Sequence, residues 1–408
     1  MQKVVQVTVI GKVLKPNKQK ILALNSTLER YFHLVRWYLS FNSTSKTFLH
    51  RNCYEKAKQF NLNAALIQTA RDKSVETMKS FKTNKEGGIL IRPERISMRF
   101  DRRCYHFSKT SNVLTPYWLI LSLTREERIS LPLVFGERQK MIEEAFKGGL
   151  EFATVEMVKR GCDWYAHFIL RKTVELTSEP ETIIGIDRGE RNLAVTIAIF
   201  KASPKPMKGQ FWSGAEIKRT RGLYGHIRRN LGKKKLLDKI KAINTKERKK
   251  VNQQLHITAN QIVEYTKQFH NPIIVMENLR GIRHSFNVTG ELNRRFHSLP
   301  FRRLQAYIEY KANLEGIEVR YLTKAETRNT SKTCHICGNV SNIKGRTYRC
   351  SSCGMEYDRD LNAAINIACR LTRSMGWRSS EPLEPAHDGS GVKPALNAGD
   401  SISRVVTH

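Results

Sequence analysis

Acidic side chains are scarce in this sequence: 37 Asp and Glu stand against 71 Lys and Arg in 408 residues, a formal net charge of +34. A surplus of that size repels itself in a compact state and needs a polyanion to neutralise it. Nucleic acid is therefore the expected partner class, bound through phosphates with a steep salt dependence. Long apolar runs are missing as well. None approaches the roughly 18 residues of a membrane span, and no lipidation signal is present, which argues against a membrane partner. The stretch Met1 to Gly11 alternates like a strand and has no apolar h-region. No secretory signal is expected from it, and an intracellular, cytoplasmic location in a prokaryotic cell is. Internal repeats and long low-complexity tracts are also absent, so solenoids and arrays are not expected. The hydrophobic content of 40% is ordinary and the length allows two to four units with ample core.

Cysteine is sparse but unevenly placed. Cys53, Cys104, Cys162 and Cys369 are scattered and read as buried small hydrophobes. Cys334, Cys337, Cys350 and Cys353 form C-x2-C-x12-C-x2-C. Paired knuckles at that spacing in a reducing compartment point to a tetrahedral, structural zinc site, since a redox dithiol needs only one such pair.

Periodicity divides the chain. Residues 1–13 read as a strand that ends near Pro16 and Asn17. Ile21, Leu24, Leu28, Phe32, Val35 and Leu39 then repeat at helical spacing, with more helix from about 63 to 82 and a loop at Asn84–Gly88. Tyr31, Phe32, Trp37 and Tyr38 offer bases a stacking surface, but their spacing fits a packed helix face better. Residues 96–107, 117–123 and 153–172 alternate with period two. The expected first half is a β-barrel wedge from 1–13 and 90–176 with a helical recognition insert at 14–89. After a linker at Thr177–Thr182 come apolar strands at Ile183–Asp187, Leu193–Phe200 and Pro272–Glu277, separated by a basic helical region from about 214 to 268. A helix at Phe301–Leu314, a strand at Ile317–Leu322, the cysteine ribbon at 326–357 and a last helix from Leu361 to about Thr372 complete the pattern. Segments 181–325 and 358–376 thus form one α/β domain interrupted by the ribbon, and 377–408 has the composition of a flexible tail.

Cleaving a phosphodiester with two Mg²⁺ ions requires a few carboxylates converging from separate elements. Asp187 ends an apolar strand and precedes Arg188-Gly189, Glu277 ends the Ile273–Met276 run, and Asp360 opens the last helix. One acid in such a place is weak support, because strand-end and helix-cap acids are common; Asp358 in particular competes with Asp360 as a helix N-cap. Three of them in an acid-poor chain point to metal binding beside phosphate.

Here the sequence resembles a known family. Gly185-Ile186-Asp187-Arg188-Gly189 with Asn192-Leu193-Ala194 resembles the first motif of the RuvC-type nuclease domain of TnpB proteins. Val275-Met276-Glu277-Asn278-Leu279 resembles the second, and Asp358-Arg359-Asp360-Leu361-Asn362-Ala363-Ala364-Ile365-Asn366-Ile367 the third. Thr330-Ser331-Lys332-Thr333-Cys334-His335-Ile336-Cys337-Gly338, Tyr310-Lys311-Ala312 and Gly316-Ile317-Glu318-Val319 fit as well. The match is strong over about 180–375, while residues 1–176 share only the general organisation. Compact type V CRISPR effectors have the same core.

The resemblance implies an α+β multidomain protein: a β-barrel wedge with a helical insert, then a ribonuclease-H-like core carrying a zinc ribbon. It implies Mg²⁺ ligands at Asp187, Glu277 and Asp360, with Asp360 preferred because the family acid precedes x-Asn-Ala-Ala, and Zn²⁺ on the four cysteines. Its partners would be a guide RNA and target double-stranded DNA, with sequence read mainly by base pairing. The chain is expected to act as a monomer, with dimerisation left open. Three rivals stand beside this reading: a nuclease-inactive RNA-guided repressor, an RNA-independent zinc-ribbon accessory factor for transposition, and a CRISPR effector proper. The Arg283–Phe296 segment, beside Glu277, has the make-up of a mobile loop and reads equally as a lid over the scissile strand or as a rigid loop with no gating role.

Overall fold

A computed structural model describes residues 2–83, 96–189, 191–202, 209–278, 300–323, 325–341 and 345–377. The loop expected at Asn84–Gly88, the loop or lid expected at Arg283–Phe296 and the tail beyond Trp377 lie outside these residues. The chain divides into two compact units, Val4–Thr173 and Met1–Lys3 with Val174–His408.

In the first unit the chain order is β1 (Gln2–Val13), α1 (Lys18–Ser40), α2 (Lys46–Ala57), α3 (Ala64–Thr83), β2 (Met98–Phe100), β3 (Tyr105–Lys109), β4 (Tyr117–Ser122), β5 (Arg128–Phe135), α4 (Gln139–Phe146), β6 (Glu151–Arg160) and β7 (Asp163–Glu175). The strands join in the order β2-β6-β7-β1-β5-β4-β3, a seven-stranded sheet curled into a nearly closed barrel. Alternation builds its interior: Leu119 and Leu121 of β4 and Ala166, Phe168 and Leu170 of β7 are fully buried between more exposed neighbours, and Leu131 and Leu133 of β5 are fully buried on either side of Pro132, which is buried too. Gly11 is needed where β1 crosses the barrel, since a Cβ there would stand 2.8 Å from the Phe135 ring. Helix α1 starts where the Asn17 side chain accepts from the Lys20 amide at 2.9 Å. Its Leu24, Leu28, Tyr31, Phe32, Val35 and Leu39 are buried. Tyr31, Phe32 and Tyr38 are therefore core, and Trp37 packs against Tyr38, Phe41 and Phe60, so this aromatic set is not a base-stacking platform.

Several elements were not legible in advance. The alternation at 96–107 breaks into β2 and β3 around a turn, and α2, β5 and α4 are additions. Cys53, Cys104 and Cys369 are buried as expected, but Cys162 is exposed. It follows Gly161, whose φ of 60° marks the tight turn between β6 and β7, where no core is within reach.

The second unit contains β8 (Thr182–Asp187), β9 (Asn192–Phe200), β10 (Gln210–Ser213), α5 (Ala215–Lys233), α6 (Leu237–Lys267), β11 (Pro272–Glu277), α7 (Phe301–Leu314), β12 (Glu318–Leu322), β13 (Thr347–Arg349), β14 (Glu356–Asp358) and α8 (Arg359–Ser374). Five strands form a mixed sheet in the order β10-β9-β8-β11-β12. The β8–β9 and β9–β10 pairs are antiparallel, while β11 is parallel to both β8 and β12. The apolar runs of β8 and β11 are continuous because both faces are covered. Ile184, Ile186, Ile274 and Met276 pack against α6 and α7 on one side, and Ile183, Ile273 and Val275 against α8 on the other.

Candidate active site and metal centre

Strands β8 and β11 run in register, with Ile186 opposite Met276, so Asp187 and Glu277 emerge at one level of one sheet edge. The period of two puts both on the α8 face, since Ile183 and Val275 pack there. Gly185 lets α8 lie close: a Cβ at that position would meet the Ala364 carbonyl oxygen at 2.4 Å and the Ala368 Cβ at 2.8 Å. The helix thus delivers its first turn, with Asp360, to the edge that carries the other two acids. Asp187 and Asp360 line one cleft together with Ser331, Arg346, Arg359 and Ala363.

The choice between Asp358 and Asp360 resolves into two roles. Asp358 is the N-cap: one of its oxygens accepts from the amides of Asp360 at 2.9 Å and Leu361 at 3.0 Å. Asp360, relieved of capping, receives the Asn192 side-chain amide at 2.9 Å and has the Arg346 guanidinium at 3.5 Å. Glu277 accepts from the Thr330 hydroxyl at 2.7 Å. Arg188 ties the edge together: its guanidinium donates to the main-chain oxygen of Glu277 and, at 2.7 Å, to the Gln305 side chain on α7. Burial lowers the Arg188 pKa to about 10, opposed by the Glu277 and Asp187 charges.

Burial, with the neighbouring charges of Glu277 and Asp360, pushes Asp187 up to about 7. Removing water from three adjacent carboxylates is costly in the absence of a cation. The donor set, all hard oxygens, is the kind Mg²⁺ takes. The residues present fit such an ion by donor type and by place at one edge, although their oxygens are not all within 4.8 Å of one another as the ribbon sulfurs are.

The cysteine ribbon is closed more tightly. Among the described residues, Cys334, Cys337, Cys350 and Cys353 are the one set of three or more such ligands with donor atoms all within 4.8 Å of one another. Each pair forms the same turn: the Gly338 amide donates to the Cys334 carbonyl at 3.0 Å, and the Gly354 amide to the Cys350 carbonyl at 3.1 Å. Both glycines have positive φ, 78° and 72°, as these turns require. Burial pushes the Cys334 thiol up to about 12. Cys350 ends lower, at about 6, because the Cys353 and Ser352 amides and the Cys337 and Cys353 thiols outweigh the effect of its burial. Four converging sulfurs fit a tetrahedral zinc ion.

Helix α8 fastens the ribbon to the acid edge. Asn362 and Asn366, four residues apart and both buried, project from one side of it. Asn366 donates to the carbonyls of Thr330 at 2.8 Å and Thr333 at 2.7 Å, and Asn362 donates to Thr333 at 2.8 Å. The His335 ring and main-chain amide meet the Asn362 oxygen at 2.8 and 3.3 Å. The turn held in this way is the one that sends Thr330 to Glu277. Sequence reasoning placed the three acids and four cysteines but missed the parts played by Arg188, Asn192, Gln305, Thr330, Asn362 and Asn366. Signals were available: two asparagines at four-residue spacing in the otherwise apolar run Leu361–Cys369, and the place of all of these residues but Gln305 inside the family motifs.

These features define a class: a mixed α/β protein with an acid-bearing sheet edge abutting a four-cysteine ribbon, joined to a nearly closed antiparallel barrel. Comparison with known proteins narrows it. Residues 301–367 match the model of the Cas12f1-like TNB domain. The TnpB-like protein MJ0751 of Methanocaldococcus jannaschii is 29% identical over 261 residues, covering 62% of this chain and 90% of that protein. The CRISPR-associated endodeoxyribonuclease Cas12f1 of Sulfoacidibacillus thermotolerans is 23% identical over 352 residues, covering 77% of this chain and 78% of that one. A Cas12f1 chain solved as an sgRNA–target DNA complex has the same fold, with a TM-score of 0.68 at 17% identity over 86% of this chain and 83% of that one. In sequence the chain is similar to TnpB-like and Cas12f proteins, and in fold to Cas12f1.

Proposed function

We propose that this chain is an RNA-guided, transposon-associated endonuclease that cuts both strands of DNA at one site formed by Asp187, Glu277 and Asp360. The convergence of those three acids from β8, β11 and α8 on one sheet edge carries the reading. The strand order β10-β9-β8-β11-β12, with the first three strands antiparallel and the last three parallel, supports a ribonuclease-H-like, RuvC-type core over 181–325 and 358–376. In the same reading 326–357 is the zinc ribbon, 1–13 with 90–176 the wedge and 14–89 the recognition insert. Two relatives support the partners: one is named an endodeoxyribonuclease, and the other was solved with sgRNA and target DNA.

Asp187, Glu277 and Asp360 would hold two Mg²⁺ ions, which supply an activated water and stabilise the leaving 3′ oxygen. The chain's own residues set the geometry. Thr330 fixes one Glu277 oxygen, Asn192 one Asp360 oxygen, and Arg188 the main chain at the end of β11. Arg346 and Arg359 line the cleft beside Asp187, where they would meet the phosphates of the strand being cut.

The test is to purify the protein from cells carrying its native flanking DNA, sequence any bound RNA, and assay plasmids matching its variable end. A discrete RNA and Mg²⁺-dependent linearisation are expected. A preparation without specific RNA would overturn guidance and leave an unguided DNA-processing protein.

A further inference from the structure

Helices α5 and α6 pack together as a hairpin whose far end buries no residue. Helix α6 is 31 residues long, but its buried positions begin only at Val251. The level of the acid edge along it can be read from its neighbours. Arg303, at the start of α7, donates to Asn252 at 2.6 Å, and Gln305 one half-turn on accepts from Arg188 beside Asp187. Further along, Tyr307 stacks on His256 with ring centroids 3.8 Å apart and Lys311 donates to Asn260, so the two helices run parallel away from that edge. Residues Leu237–Lys250 therefore lie beyond the carboxylates. Fourteen helical residues carry them about 21 Å past it.

The other limb of this arm is the end of helix α5. Arg228 clips the two helices together through Asn244 at 3.1 Å and through Glu247. No residue from 225 to 250 is buried. That stretch contains eleven Lys and Arg against two acids, Asp238 and Glu247, each already in an ion pair. It contains no Phe, Tyr or Trp. A surface with this composition offers phosphate contacts and no platform for unstacked bases.

We infer that residues 225–250 form a basic arm that grips double-helical DNA where it leaves the cleavage site. The inference rests on the nuclease reading, because what extends away from a cut is the molecule being cut. It goes beyond that reading in assigning a flanking-duplex site to the α5–α6 tip. The arm holds phosphate ridges and reads no bases.

The test replaces Lys233, Lys234, Lys235, Lys239, Lys246 and Lys249, all exposed, with Gln in the full chain. Binding is followed by fluorescence anisotropy with a random-sequence DNA duplex, an RNA duplex of equal length and the corresponding single-stranded DNA. For the variant we expect co-purified RNA at the wild-type ratio and about tenfold weaker DNA-duplex binding near physiological salt. The slope of log affinity against log salt should be shallower by about 3, as for loss of three or so phosphate contacts. Single-stranded binding should change less, and target cleavage should slow in parallel with duplex affinity. Arginine at the same six positions should restore all of these values, separating charge from folding. Loss of co-purified RNA with unchanged DNA binding would overturn the inference in favour of an RNA-holding arm. Unchanged binding throughout would reduce the arm to a solvated face. A wild-type protein that carries no RNA and cuts nothing would sink the nuclease reading instead, while the duplex titration would still score the arm.

Discussion

One helix contains two regions built on opposite terms. The last 17 residues of α6 lie against the sheet and bury Val251, Leu255, Ala259, Ile262 and Val263, whereas the first 14 bury nothing and are crowded with lysine. The buried half helps hold the carboxylate edge through α7, with Arg303 on Asn252 and Gln305 on Arg188. The exposed half contributes charge and reach. In the proposed function, chemistry needing placement to a fraction of an ångström falls where packing over-determines position, and phosphate contact, which tolerates slack, falls where it does not. Changes at the edge should therefore act steeply on cutting, and changes along the arm should leave the fold intact.

The largest effect should come from Asp187→Ala. Cleavage should fall by about a thousandfold or more, equivalent to ~4 kcal/mol of barrier, with RNA retention and DNA binding unchanged. Plasmid linearisation and RNA yield measure the two sides, and lost RNA would make Asp187 a structural residue instead. Next is Cys334→Ser, which should release zinc, open the ribbon to protease and slow cutting through the Thr330 and α8 contacts. A zinc-free variant with a protease-resistant ribbon would refute the metal's structural role.

Asn366→Ala is a smaller change of the same kind. It leaves the buried Thr330 carbonyl without its donor and the Thr333 carbonyl with Asn362 alone, at a cost of about 1–3 kcal/mol in thermal or denaturant unfolding. Zinc content should survive, so cutting and stability would fall together without metal loss.

Asp187→Asn should act in the opposite direction on the metal-free protein. The folded-state pKa of Asp187 is about 7 against an ordinary 3.8, so the fold holds this proton more tightly than the unfolded chain does. Its contribution to stability is fully present below about pH 4 and is lost as pH rises towards 7. At pH 8 without Mg²⁺ the Asn variant should melt a few degrees higher than wild type, and at pH 4 the gap should close. Added Mg²⁺ should raise the melting temperature of wild type alone. The smallest effect belongs to the arm, where the six Lys→Gln changes should each alter stability by less than about 0.5 kcal/mol. A marked loss of stability there would dissolve the contrast between the two halves of α6.

Legibility followed the same division. The strands ending in Asp187 and Glu277 were readable because a sheet buried on both faces produces an unbroken apolar run, and α7 because its period and its Gly316 stop coincide. Ribbon ligands could be read from spacing alone, since four cysteines in two C-x2-C turns leave few other uses. The short edge strand β10 and the exposed helix α2 escaped, because four residues, or a helix burying only Leu49, Cys53 and Ala57, leave too faint a pattern. Cys162 was misjudged because exposure at a hairpin tip depends on which strands pair.

By itself, then, the sequence pointed to nucleic acid through its charge, determined the cysteine cluster through its spacing, and singled out three acids as candidates through their places at element ends. All of these are local properties of the chain. Only the tertiary structure decided that Asp358 caps while Asp360 faces the cleft, and that Arg188, Thr330 and Asn366 bind ribbon, helix and sheet into one edge. It also decided that half of α6 overhangs that edge. The long-range ones depend on which side chain meets which across 30 or more residues of chain, as Asn366 meets Thr330 across 36 and Thr330 meets Glu277 across 53. Only packing sets such distances.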